Sequence, residues 1–169
     1  SVMRHSLLPG LVNILSENIK NQQKRVRIFE IGRTFHVDDK VTPNKNSVKG
    51  VNQPYRISAL IYGQSHDEQW GVNENPVDFF DLKNILENTF QYLNFKFKKI
   101  ETKLNFLHPG RGALVSVDTK NNDTFDFSCD WGNGIVGYIG ELHPRLCSFF
   151  DLPLAPIVFE ICLDDLLLK

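Results

Sequence analysis

The chain has 169 residues, of which 41% are hydrophobic, thirteen are phenylalanine, and the formal net charge is −1. That length and apolar share fit one domain with a substantial core and argue against a disordered tail, while the near-zero charge offers no long-range attraction for a polyanion. Three widely spaced cysteines, Cys129, Cys147 and Cys162, argue against a disulfide framework and for a reducing cytoplasm, and no apolar run approaches the roughly 20 residues a membrane span needs.

The start, Ser1-Val-Met-Arg-His-Ser-Leu-Leu-Pro-Gly, has no basic region followed by a long apolar stretch, so it is not a secretory signal. With its methionine third and an end, Leu166-Leu-Leu-Lys169, in mid-pattern, the sequence reads as a single domain, 1–169, excised from a longer chain.

Leu8, Leu11, Val12, Leu15 and Ile19 are spaced three and four apart, which predicts a helix over Leu7 to Gln23 with Ser6 as its cap and Pro9 in its first turn. Val26 to Val37 alternates with Phe29, Ile31, Phe35 and Val37 on one side, the period of a strand. Asp38 to Pro54 reads as a loop, Tyr55 to Tyr62 as a strand pairing antiparallel with the first, and Gly63 to Pro76 as a second connection anchored by Trp70. Both connections are expected to be mobile.

From Asp78 the set Phe79, Leu82, Ile85, Leu86, Thr89, Phe90 and Leu93 predicts a second helix with Asp78 as its cap. Strands are predicted at Phe95 to Lys98, Ala113 to Val117, Thr124 to Cys129 and Ile135 to Gly140, with a hairpin turn at Asn121-Asn-Asp123. A short helix over Pro144 to Phe150 and a last strand at Ile157 to Leu163 complete an α+β fold, an antiparallel sheet flanked by helices.

Two patterns mimic chemistry. Gly132-Asn-Gly134-Ile-Val-Gly137 spells G-x-G-x-x-G, but Gly140 and Pro144 fall where the nucleotide-facing helix would run, so a turn leading into a strand is expected. His108-Pro-Gly-Arg111 and His143-Pro144 are read as turns with locally bonded imidazoles, since no histidine forms a short metal-ligand spacing with a cysteine. Asp78 and Asp81 are read as a capped helix start rather than an acid pair.

The run Arg27 to Asp38 resembles the first strand of motif 2 of class II aminoacyl-tRNA synthetases, in which Phe-Arg-x-Glu holds the ATP phosphate. Here His36 stands at the arginine position. Phe159 to Leu166 resembles the strand and helix of motif 3, and Asp165 stands where its arginine belongs. The strings Met3 to Leu11, Phe29 to Arg33, Asp78 to Lys83, Leu107 to Arg111 and Ile139 to Pro144, in that order, resemble the phenylalanine–tRNA ligase beta-subunit family and cover nearly the whole length. The resemblance implies a class II synthetase-like core without catalysis. Guanidinium groups supply the fixed donors that stabilise charge at an ATP phosphate, and losing one costs on the order of 3 kcal/mol.

The resemblance further implies a cytoplasmic alpha-beta heterotetramer whose alpha subunit attaches phenylalanine to tRNA with ATP and Mg2+. No catalytic, cofactor-binding or metal residue is assigned to this domain, and neither a membrane nor DNA is expected as a partner. Leu8, Leu11 and Leu15 are candidate interface residues, because the matching family helix lies between subunits, though core and interface are weighed equally for that helix. Arg33 and Arg111 are candidates for an interface or surface ion pair, with reach into a pocket as the lesser reading. A second reading is a small-ligand binding module that keeps a class II-like pocket without catalysis; an active stand-alone ligase is disfavoured by His36 and Asp165.

Overall fold

A computed structural model describes residues 3–43, 48–67, 70–71, 73–100, 104–117 and 134–167. In chain order the elements are α1 (Leu8–Lys20), β1 (Val26–Arg33), β2 (His36–Val37), β3 (Val51–Asn52), β4 (Tyr55–Tyr62) and α2 (Phe79–Thr89), followed by β5 (Phe95–Lys99), β6 (Leu107–Val117), β7 (Ile135–Leu142), α3 (Pro144–Phe149), β8 (Ile157–Cys162) and α4 (Asp164–Leu167). The fold is α+β.

Six strands form one antiparallel sheet in the order β1-β4-β8-β7-β6-β5, and β2 and β3 form a separate ribbon. The last strand, β8, is inserted at the centre between β4 and β7, so both its faces are covered and all six of its residues are buried. A near-continuous apolar run is what such a position selects.

The two faces carry different helices. Leu82 and Leu86 of α2 pack with Ile57, Ala59, Ile61, Phe159 and Ile161 on one face. On the other, the apolar stripe of α1 packs with Leu60, Tyr62, Tyr138, Val158 and Cys147, the last from α3. The Asp78 carboxylate accepts from the Asp81 N–H while the Asp81 carboxylate accepts from the Asp78 N–H, a reciprocal cap that starts α2 as expected. Ser6 acts one residue early: its hydroxyl accepts from the Leu8 N–H, and Leu7 occupies the cap position without a side-chain bond.

Several expectations change on contact with the tertiary structure. Phe29 and Ile31 do share one side of β1, but at 69% and 54% exposure that side faces solvent, because β1 is an edge strand that α2 does not cover. The strand predicted to Val37 breaks after Arg33, where the Thr34 N–H turns to the Pro54 carbonyl and the Phe35 N–H to the Arg4 carbonyl. Asp38 to Pro54 is not wholly loop, since it contains β3. Trp70 anchors nothing and is fully exposed.

His108 to Arg111 lies inside β6 at a register irregularity rather than in a turn, although the His108 Nδ1 does accept locally from the Gly110 N–H. Gly134, with φ of +75°, leads directly into β7, which is the turn-to-strand reading of the glycine pattern. The expected hairpin at 121–123 and strand at 124–129 lie outside the described residues. Cys147 is a buried free thiol, whereas Cys162 is disulfide-bonded, a bridge that the wide cysteine spacing argued against.

Candidate functional site

Glu160 interrupts the apolar run of β8 and is 1% exposed. A carboxylate in that position must be satisfied or it costs several kcal/mol. The register places it beside Ser58 on β4 and Tyr138 on β7. Its Oε1 accepts from the Leu7 N–H at 2.9 Å, and its Oε2 accepts from the Ser6 hydroxyl at 2.6 Å and the Tyr138 phenol at 2.8 Å. Arg56 of β4, 3% exposed, brings Nη1 to 3.9 Å from Oε1. The cluster therefore ties the start of α1 to the three central strands and places one guanidinium beside one carboxylate. Burial, and then the neighbouring Glu160 charge, hold the Tyr138 phenol well above the usual tyrosine range.

Over this cluster lies a cavity of about 670 Å³. Its walls are apolar: Leu8, Pro9 and Val12 from α1, Leu142 from β7, Leu146 and Phe149 from α3, with Phe150 and Phe106 beside them. The α1 and α3 walls are tied together by the Ser16 hydroxyl, which donates to the Phe150 carbonyl at 3.3 Å. Ser6, Arg56, Tyr138 and Glu160 form the polar remainder, with two imidazoles, His5 and His36, whose ring centroids are 5.7 Å apart. His36, which the sequence resemblance sets at the motif 2 arginine position, lines the cavity; its Nε2 lies 3.1 Å from the Thr34 hydroxyl. Asp165 lies in α4, next to Asp164, whose carboxylate accepts from the Tyr55 N–H at 2.8 Å.

The other candidates lie elsewhere. Arg33 places its guanidinium 4.6 Å above the Tyr55 ring. Arg111 makes a two-pronged contact with Glu141 at 3.0 and 3.2 Å, at the edge of a separate cavity that also holds Asp78, Phe79 and Phe80. Leu8, Leu11 and Leu15 are 6%, 1% and 0% exposed, so the sheet uses the stripe of α1 that sequence spacing offered equally to a partner. His143 caps α3, its Nδ1 accepting from the Arg145 N–H.

Chemically the site can hold a molecule, and the hydroxyls in contact with its carboxylate, Ser6 and Tyr138, share Glu160 with the Leu7 N–H and tie α1 to the sheet. Among the described residues no group of three or more His, Cys, Asp or Glu side chains converges to hold a metal ion. A triphosphate with Mg2+ fits the cavity poorly: the buried Glu160 carboxylate opposes anionic oxygens, and the Arg56 guanidinium is already beside it. Sequence reasoning missed this network. The available signal was a glutamate and an arginine inside strand patterns otherwise fit for burial, Ile157 to Cys162 and Tyr55 to Tyr62.

The family described as the phenylalanyl tRNA synthetase beta chain CLM domain matches residues 1–163. The chain is similar to the phenylalanine–tRNA ligase beta subunit of Burkholderia lata, 41% identical over 169 residues, covering 100% of this chain and 19% of that protein. It is similar also to the beta subunits of Ralstonia nicotianae, 40% identical over 164 residues (97% of this chain, 18% of that one), and Cupriavidus pinatubonensis, 37% identical over 166 residues (98% and 18%). The chain spans about a fifth of the length of these relatives.

Proposed function

The chain belongs to the phenylalanyl-tRNA synthetase beta chain family, and on that premise we propose that it is a non-catalytic assembly domain of a phenylalanine–tRNA ligase. In this reading an alpha subunit carries out ATP- and Mg2+-dependent attachment of phenylalanine to tRNA in the cytoplasm, and this domain holds that subunit in position. Contact with tRNA belongs to the whole assembly, in keeping with a net charge of −1 on this chain. The observation that carries the non-catalytic part is the charge of the cavity: an imidazole at the motif 2 position and a buried carboxylate in the polar floor, where phosphate chemistry requires unencumbered cations.

The surface best suited to a partner is the uncovered side of β1. Phe29 and Ile31 lie exposed there, and a groove runs from Phe29 across Ile57 and Ala59 to Leu82 and Ile85 of α2. Arg27 borders the same groove, and its buried Nη1 has no hydrogen-bond partner among the described residues, while Nη2 donates to the Gln64 and Ser65 carbonyls. Burial lowers the pKa of that guanidinium. Apolar area beside an unsatisfied donor suits a protein partner that supplies an acceptor.

Pyrophosphate exchange tests the catalytic half of this reading. The purified chain should show no phenylalanine-dependent exchange, and neither should His36→Arg, because one restored guanidinium leaves the Glu160 carboxylate in place. Exchange by either protein, free of any alpha subunit, would refute the assignment. Co-purification of the longer beta subunit with its alpha subunit tests the assembly half.

A further inference from the structure

We infer that the cavity between α1 and α3 is a binding site for an uncharged, largely apolar aromatic small molecule, a role independent of the assembly role proposed above. Its volume of about 670 Å³ falls in the range of small-molecule sites, which are apolar with a few placed polar groups. Its polar lining is Ser6, Arg56, Tyr138 and Glu160 with the His5 and His36 imidazoles, and the strongest acceptor, Glu160, already takes hydrogen bonds from Ser6, Leu7 and Tyr138. A guest ion would find opposite charges 3.9 Å apart that carry no net charge, so a single guest charge meets attraction and repulsion together.

The aromatic walls decide the class of guest. Phe106 lies 4.7 Å from the Tyr138 ring at a 59° tilt, and Phe149 meets Phe150 edge-on at 5.0 Å and 84°. These are two tilted ring pairs in one apolar cavity, and a flat aromatic guest would extend both with edge or offset contacts. Phe149 is 78% exposed although it lines the cavity, a large apolar face that a guest would cover. His5 and His36 add two imidazoles to the polar lining, where a guest with a single N–H or O–H could exchange a hydrogen bond.

Indole is the probe, titrated into the intact protein and followed by saturation-transfer NMR and thermal shift. The wild type should bind it saturably at millimolar concentration or below, and ATP at the same concentration should not displace it. Leu146→Trp and Pro9→Phe fill the cavity from opposite walls, and either should weaken binding at least tenfold. Pro9 is exposed at the start of α1, so its variant keeps the test alive if the Leu146 variant fails to fold. Absence of saturable binding to wild type, unchanged binding in folded Pro9→Phe, or displacement by ATP would each overturn the inference. Co-purification with the alpha subunit, measured on the same variants, should not change.

Discussion

Tyr138 of β7 stands directly opposite Glu160 of β8, and its phenol donates a 2.8 Å hydrogen bond to Glu160 Oε2 while both residues are sealed from solvent at 2% and 1% exposure. The pair matters unequally for stability. Tyr138→Phe removes one hydrogen bond and should cost about 1–2 kcal/mol. Glu160→Ala leaves Arg56 buried without its carboxylate and should cost about 3–5 kcal/mol. Urea unfolding of the two variants gives the comparison; a Glu160→Ala loss no larger than that of Tyr138→Phe would contradict the role assigned to the carboxylate.

The same phenol sets an alkaline limit. Burial raises its folded pKa above the unfolded value near 10. A raised folded pKa contributes stability that is fully present below the unfolded value and is lost as pH rises through the folded one. Stability should therefore hold to about pH 10 and decline above it. Tyr62, raised chiefly by burial, adds to the effect in the same direction. Tyr138→Phe should flatten the decline, read from melting temperatures between pH 8 and 11 compared with wild type.

Gly137, the last glycine of the nucleotide-like pattern, is there for packing. A Cβ at that position would stand 2.0 Å from the Glu160 carbonyl oxygen and 2.9 Å from the Ile161 Cα, both backbone of the neighbouring strand. Gly137→Ala should destabilise by about 3 kcal/mol through forced separation of β7 and β8. Calorimetric melting of the variant checks this, and an unchanged midpoint would contradict the geometry.

Removing the cap of α2 has a smaller cost. Asp78→Ala loses the bond to the Asp81 N–H and the acid at the positive end of the helix, for a loss of about 1 kcal/mol. Asp78→Asn should recover most of it in the same chemical denaturation assay.

Assembly and folding separate on two sets of positions. Phe29→Asp with Ile31→Asp places charge on an exposed edge, so the domain should stay folded while the longer beta subunit loses affinity for its alpha subunit, tenfold or more. Leu11→Asp and Leu15→Asp place charge in the core and should unfold the domain itself. Melting and co-purification must be measured together. A folded Phe29/Ile31 variant with wild-type assembly would remove this edge as the docking surface.

The sequence by itself determined what local periodicity and local bonding control. The stripe from Leu8 to Leu15, the Asp78 cap, the β4 strand from Tyr55 to Tyr62 and the strand after Gly134 are all where spacing and turn chemistry put them. Ordered family strings made the membership legible at the same stage. The burial of Leu11 against the sheet, the exposure of Phe29 at its edge and the convergence of Ser6, Arg56, Tyr138 and Glu160 were decided only by the tertiary structure. The reason lies in the topology. The final strand enters the centre of the sheet between β4 and β7, so residues separated by more than 150 positions, such as Ser6 and Glu160, become hydrogen-bond partners. A period of two or of 3.6 says which side chains share a face, but not which other element covers that face.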